Sequence, residues 1–403
     1  MTARERARRA LRFQSTDRPV RDLGSTRVSG VAAWVYRALR RFLCLPSIQP
    51  RVYDLSQFLA EVDDDVLDAL GCDFLMLPNQ ILPLELKRGG WKSFTFWDGS
   101  TYLVPEQFHP QWLPDGTLIH GHGFPWSEPA RRMPPGCRYF ERLHYPDLTS
   151  IHDEVPHLPE SRWQLPEPFD DEALRHEREN ARRLFKETDR ALVSSTILGV
   201  PAGYSGPIGW AIKLRTAPDH ARAYMMAEAD ALARRARQYL QQVGEFLDVV
   251  MISGVDFGTQ KGELFAPALF GEFFVPAWEI VTRAIHETSP HVKIFVHTCG
   301  SVRGILPYLV EAGVDIYNPV QWSADGMDRK RLARELGGRI VFWGGGANSQ
   351  HTLPFGTPAS VRREAEESLE IFGKKGGYIL APTHNVQADV PPENLVSLYA
   401  AGS

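Results

Sequence analysis

Two kinds of stretch are missing from this chain, and each absence closes a class of protein. No apolar run comes near the ~20 residues a helix needs to cross a bilayer, so a membrane protein is not expected. No CxxC pair and no regular cysteine framework occurs either. The four cysteines, Cys44, Cys72, Cys137 and Cys299, are scattered through 403 residues. Scattered thiols suit a reducing compartment rather than a disulfide-stapled secreted domain. An excess of charge of one sign is lacking too: the formal charge of -4 leaves no basic field for nucleic acid. Internal repeats, heptads and low-complexity tracts are absent, as is an early GxGxxG. The Arg-rich start, Met1 to Phe13, carries Glu5 and has no apolar centre, so it reads as a surface helix and not a secretory signal. The cytoplasm is the expected compartment.

What is present is a rhythm. From about residue 190, short apolar runs alternate with amphipathic stretches. Strands are expected at Ala191–Leu198, Val249–Ser253, Ile294–Val296, Asp315–Asn318, Ile340–Trp343 and Tyr378–Ala381. Helices are expected at Pro218–Val243, Pro267–Glu287, Val302–Ala312, Met327–Leu336 and Pro358–Phe372, several of them opened by Pro and closed by Gly. Repeated βα units imply a parallel sheet, and their number favours a closed (β/α)8 TIM barrel over a doubly wound one. Residues 2–13 and 31–43 read as N-terminal helices, and Gly71–Leu77 as the first barrel strand. From about 91 to 168, turn residues and aromatics dominate, and Asp98-Gly99 and Asp115-Gly116 mark β-hairpins. This stretch reads as an insertion, a lid or a wall over the pocket, within one domain spanning 1–403.

In such barrels the chemistry lies at the C-terminal ends of the strands. The richest end is Val296-His297-Thr298-Cys299-Gly300. Side chains i and i+2 leave a strand on one face, so His297 and Cys299 point into one space, and nitrogen with thiolate sulfur is a zinc-binding pair. A third ligand is expected from His384 on the final strand. A buried His is more often a hydrogen-bonded core residue and a lone Cys a small hydrophobe, but two such groups on one rim with a second His weigh toward metal. Asp256, Gln260, Asn318, Gln321, Trp343 and Asn385 are further substrate-binding candidates at strand ends. Gly344, Gly345 and Gly346 either cradle an anion or make a tight turn. The spacing His120-Gly121-His122 follows a hairpin turn and reads as loop. The basic amphipathic stretch Val31–Leu43 reads as packing against the barrel bottom or a partner, and Cys44, Cys72 and Cys137 as packing residues.

These rim motifs carry a resemblance. HTCGSVRGILPYLVEAGVDIYNPVQ, FWGGGANSQ, LPFGTPASVRREA and APTHNVQADVPPENL follow one another from Val296 to Asn394. With Arg4-Glu5-Arg6 through Asp17-Arg18-Pro19 at the start, the chain resembles the uroporphyrinogen decarboxylase-like superfamily, which includes corrinoid-dependent methyltransferases. The decarboxylases carry an N-terminal Arg-Gln-Ala-Gly-Arg segment and an Asp after the first strand. Neither is evident here, where the rim reads Phe74-Leu75-Met76-Leu77-Pro78-Asn79-Gln80, although His384 matches the His of their closing motif. The methyltransferases bind zinc through His-x-Cys and a later Cys. His297 and Cys299 match the first two, and His384 stands where the later Cys falls.

The resemblance to that branch implies a zinc-activated methyl transfer between a corrinoid (methylcobalamin), carried by a small separate protein, and a small thiol or methylated substrate. His297, Cys299 and His384 would act as both catalytic and metal-binding residues. The alternatives are a metal-free decarboxylase with His384 as proton donor, and a non-catalytic small-molecule binding protein. A homodimer is expected from the habit of such barrels.

Overall fold

The computed structural model describes residues 1–79, 81–82, 86–120, 131–142, 159–203, 206–374 and 376–402, without the side chains of 81–82, 142 and 206–208. Eight parallel strands form one sheet curled into a barrel: β1 (Val20–Arg21), β2 (Phe74–Leu77), β3 (Ala191–Ile197), β4 (Val249–Ser253), β5 (Lys293–His297), β6 (Ile316–Asn318), β7 (Val341–Trp343) and β8 (Tyr378–Leu380). The ladder runs β1-β8-β7-β6-β5-β4-β3-β2. A side chain helps to join its ends: Asp73 N–H donates to Arg21 O at 2.8 Å, and Arg21 N–H donates to Asp73 Oδ2 at 2.9 Å. Arg6 and Arg18 neutralise that fully buried carboxylate at 2.7 and 2.9 Å.

Strand alternation decides which residues fill the barrel. Phe74, Val193, Met251, Phe295, Ile316, Trp343 and Ile379 point inward and pack as one core. Their neighbours Leu192, Val250, Val296, Tyr317, Phe342 and Leu380 point outward under the helices. On β5 the inward set runs Phe295, then His297, so His297 stands one layer above an aromatic floor.

The expected strands from β3 onward are found within one residue of their bounds at each end. The order at the start differs. The first barrel strand is Val20–Arg21, and Phe74–Leu77 is the second; a two-residue strand offers no period-two signal. The expected helix Pro267–Glu287 is interrupted by a π turn at Phe270–Phe274 before Val275–Thr288. Pro276 lacks the N–H that a regular ladder needs at that point, which favours the shift. The helix expected from Val302 begins at Leu306, with Pro307 in its first turn, and the one from Met327 begins at Arg329, capped by Asp328 accepting from Arg331 N–H at 2.8 Å.

The insertion enters between β2 and β3, and both expected hairpins are present. Trp91–Thr95 pairs with Thr101–Pro105 around Asp98-Gly99, and Gln111–Trp112 pairs with Leu118–His120 around Asp115-Gly116. His120 packs its ring on Phe108, while His122 lies outside the described residues. The insertion rests on the N-terminal segment through Trp34, Phe58, Phe96 and Tyr102, with Trp34 stacked on Phe58 at 4.6 Å. The helix Ala33–Phe42 packs against the helix Pro392–Tyr399, and Val31 pairs with Val386 beyond the end of β8. That is the mouth side of the barrel, not its bottom. Cys72 is buried and Cys137 half-buried, but Cys44 is exposed and not a packing residue. Among the described residues no helix is long and apolar enough to cross a membrane.

Candidate metal centre

His297 ends β5 and Asn318 ends β6, and the parallel register sets them side by side. Asn318 is fully buried, and its amide orientation follows from its neighbours. Its Nδ2 donates to Trp343 O at 3.0 Å, a group that can only accept. Its Oδ1 therefore faces His297 Nδ1, 2.6 Å away, which must be the protonated nitrogen. This leaves His297 Nε2 as a bare lone pair, and it meets Cys299 Sγ at 3.3 Å. An imidazole oriented through its far nitrogen is the arrangement that metal-binding histidines use.

The loop that carries Cys299 is held from both sides. Asp256 Oδ1 accepts from Cys299 N–H, and Gln321 Oε1 accepts from Gly300 N–H, each at 2.7 Å. Thr298 Oγ1 accepts from Phe257 N–H at 2.8 Å, tying the loop after β4 to the loop after β5. The two loops touch backbone to backbone: a Cβ on Gly300, which has φ +90°, would lie 2.6 Å from Thr259 O. Glycine is required there by both space and conformation.

His384 follows β8. Its Nδ1 lies 2.8 Å from Asn385 Oδ1, whose amide nitrogen faces Arg27 O at 3.5 Å and the Gln57 side chain. The donor atoms of His297, Cys299 and His384 all fall within 4.8 Å of one another. Tetrahedral zinc at its usual bond lengths separates sulfur from nitrogen by about 3.6 Å and two nitrogens by about 3.3 Å. The three groups therefore fit the ion with sub-ångström to ångström adjustments, and the donor set of one thiol and two imidazoles is one that zinc accepts.

The electrostatics agree with this fit. Burial, then the nearby His384, lowers the His297 pKa to about 4, and burial lowers that of His384. Both rings are thus neutral at pH 7, the form that binds a metal. Burial, then the Asp256 carboxylate, pushes the Cys299 thiol up, so without a cation beside it the sulfur keeps its proton.

The other expected residues fall into three groups. Asp256, Asn318, Gln321 and Asn385 surround the three ligands as described, and Asp256 Oδ1 is also 3.8 Å from His297 Nε2. Trp343 is fully buried below the site between Phe74 and Phe295, its indole N–H donating to Asp22 Oδ2 at 3.0 Å, so it is floor rather than pocket wall. Gly344 and Gly345 are buried at φ +86° and +77°. Gly344 and Gly346 spend their N–H groups on Ile379 O and Ala381 O, both at 3.0 Å. The glycines make a tight turn in which two of the three N–H groups are already bonded to β8 and the residue after it. Gln260 is exposed on the rim, and its described bond is its carbonyl accepting from Asp325 N–H at 2.9 Å.

Arg27 and Gln57 were not anticipated. Arg27 follows β1, pairs with the buried Asp54 at 2.6 Å and contributes to lowering both histidines. Had Val20–Arg21 been read as a barrel strand, the strand-end rule would have put Ser25 to Arg27 on the rim.

A (β/α)8 barrel with a polar, ligand-rich mouth defines an enzyme-like architecture. The sequence model for uroporphyrinogen decarboxylase (URO-D) matches residues 159–402, and the chain belongs to that family. Among curated relatives, it is 25% identical over 175 residues to the uroporphyrinogen decarboxylase of Chlorobaculum tepidum, covering 41% of this chain and 48% of that one. It is 28% identical over 171 residues to that of Paraburkholderia phytofirmans, covering 42% and 43%. The matched stretch thus spans about half the length of these relatives or less. Among solved structures, a methyltransferase from Methanosarcina mazei superposes with a TM-score of 0.52 at 15% identity, covering 99% of this chain and 98% of that one. At that identity the likeness is one of fold.

Proposed function

We propose that this protein is a corrinoid-dependent methyltransferase, moving a methyl group between a corrinoid carried by a small separate protein and a small thiol or methylated substrate. The observation that carries this reading is the convergence of Cys299, His297 and His384, with His297 locked by Asn318 so that its free lone pair faces the thiol. Those three residues would hold zinc. When bound, zinc supplies the Lewis acidity that lowers the pKa of an incoming thiol into the neutral range.

The chain's own groups would do the rest. Asn318 holds the His297 imidazole in the neutral tautomer with a bare Nε2, and Asn385 lies against His384 Nδ1. Asp256, half-exposed at the mouth and bonded to Cys299 N–H, would take the proton that an incoming thiol gives up. The insertion would wall the pocket on the side of the N-terminal segment.

The test is metal analysis of untagged protein. Near-stoichiometric zinc, lost in Cys299→Ser, together with methylation of a thiol from methylcobalamin, is the expected result. A second reading, decarboxylation of a porphyrinogen with His384 as proton donor, is favoured by the names of the curated relatives. Metal-free protein that turns over uroporphyrinogen would overturn the first reading in favour of the second.

A further inference from the structure

A cavity of about 270 Å³ opens at the ends of β2, β3 and β4, on the side where Arg27 follows β1. It adjoins the Cys/His2 cluster, because Asn385, which orients His384, also contacts Arg27 O and Gln57. Sites for drug-sized ligands run from about 300 to 1,000 Å³, so this one suits a molecule about one ring in size.

The walls describe the ligand. Met76, Met251 and Ile197 supply an apolar surface, and Ile197 is 37% exposed although it ends a barrel strand. Ser195 Oγ accepts from Asn79 N–H at 2.7 Å, which leaves its own proton to donate. Tyr53 lines the cavity, is 6% exposed, and its hydroxyl has no hydrogen-bond partner among the described residues. A buried hydroxyl without a partner is costly, and a wall of a cavity is where a ligand atom can satisfy it.

The charges say what is excluded. Arg27 and the fully buried Asp54 form an ion pair at 2.6 Å, and together they add no net charge to the wall. An anion would draw Arg27 away and leave Asp54 buried and unpaired, while a cation would compete with Arg27 for Asp54.

We propose that this cavity binds an uncharged small molecule with an apolar body about one ring in size and a hydroxyl or ether oxygen that pairs with Tyr53 and Ser195. The proposal rests on the methyl-transfer reading in one respect, that this molecule is the donor or acceptor of the methyl group. Binding itself is independent of zinc.

The experiment titrates the full chain with three matched probes, followed by calorimetry: 2-methoxyphenol, 2-methoxybenzoate and 2-methoxybenzylammonium. At pH 7 the neutral probe should bind at least about tenfold more tightly than either charged one. Tyr53→Phe should weaken it about fivefold without loss of fold, since the hydroxyl has no partner among the described residues to lose. Ile197→Trp, at a partly exposed position, should fill the cavity and abolish binding. No binding by the wild type, a charged probe that binds as tightly, or a Tyr53→Phe variant equal to the wild type would each overturn the proposal. If the protein proves free of zinc but binds the neutral probe with this pattern, the cavity assignment stands and the methyl-transfer reading fails.

Discussion

Replacing Asn318 by Ala removes the group that decides which nitrogen of His297 faces the thiol. Asn318 is fully buried and makes two bonds, accepting from His297 Nδ1–H at 2.6 Å and donating to Trp343 O at 3.0 Å. The variant leaves one donor and one acceptor unpaired below the mouth, and each such loss costs about 1–3 kcal/mol. Partial relaxation of the site keeps the total in the range of about 2–5 kcal/mol of unfolding free energy, read by urea titration. The effect on the metal is separate. Outer partners of a ligating His are worth about 10–100-fold in metal affinity, so zinc should bind that much more weakly in a chelator competition. Asn318→Asp is the control. It keeps an acceptor for Nδ1–H but sets a carboxylate oxygen against Trp343 O, so zinc affinity should hold or rise while stability still falls. An Asn318→Ala variant that remains folded and binds zinc as tightly as the wild type would refute the argument that this amide sets the tautomer.

Three further outcomes follow from the geometry. Gly345→Ala puts a Cβ 2.4 Å from Val320 O at a φ of +77°, so strain and overpacking together should cost about 2–5 kcal/mol in urea unfolding. Gln321→Ala should leave Gly300 N–H unpaired, loosening the Cys299 loop and lowering zinc affinity several-fold while the helices keep their circular dichroism. Glu228 accepts from Ala202 N–H and Gly203 N–H at 3.1 and 3.4 Å, yet burial raises its pKa from 4.5 to about 7. Its folded value lies above its unfolded one, so the stability linked to it is whole below pH 4.5 and is lost as pH rises through about 7. Glu228→Gln should therefore be the more stable protein at pH 8 by ~1–2 kcal/mol and show no advantage at pH 4.5, and an equal difference at both would exclude this account.

Much of the barrel is legible in the sequence because its information is local. A strand such as Val249–Ser253 announces itself by composition, and β5 also carries its chemistry in sequence, since the i, i+2 spacing of His297 and Cys299 is a geometric statement. The part that was not legible is made by distant segments. Val20–Arg21 is too short to show alternation, and its role as the strand beside β8 exists only when β8 is present. Tyr53, Asp54 and Gln57 belong to an irregular N-terminal segment whose place at the mouth is set by contacts such as Val31 with Val386. The glycine run was ambiguous for another reason. Whether its N–H groups are free or already bonded to β8 depends on pairing that composition does not encode.

His384 is the residue on which the two catalytic readings divide, and the Asn385 amide beside it is what divides them. A proton donor near neutral pH needs a pKa near that pH or a proton on the nitrogen that faces the substrate. Burial lowers the pKa of His384, so the ring is neutral. Asn385 meets His384 Nδ1 at 2.8 Å, and its other side meets Arg27 O and Gln57, whose amide oxygen pairs with Arg27 when its nitrogen faces Asn385. With Asn385 Oδ1 toward the ring, the one proton of the neutral ring sits on Nδ1 and Nε2 is a lone pair; with the amide turned, Nε2 carries the proton. The same logic, with Asn318 in place of Asn385, gives His297 a bare Nε2. With the first orientation of Asn385, two neutral imidazoles offer lone pairs near one thiol and are a poor acid and a good pair of ligands. The decarboxylase reading needs the second orientation, whereas the metal reading needs the first.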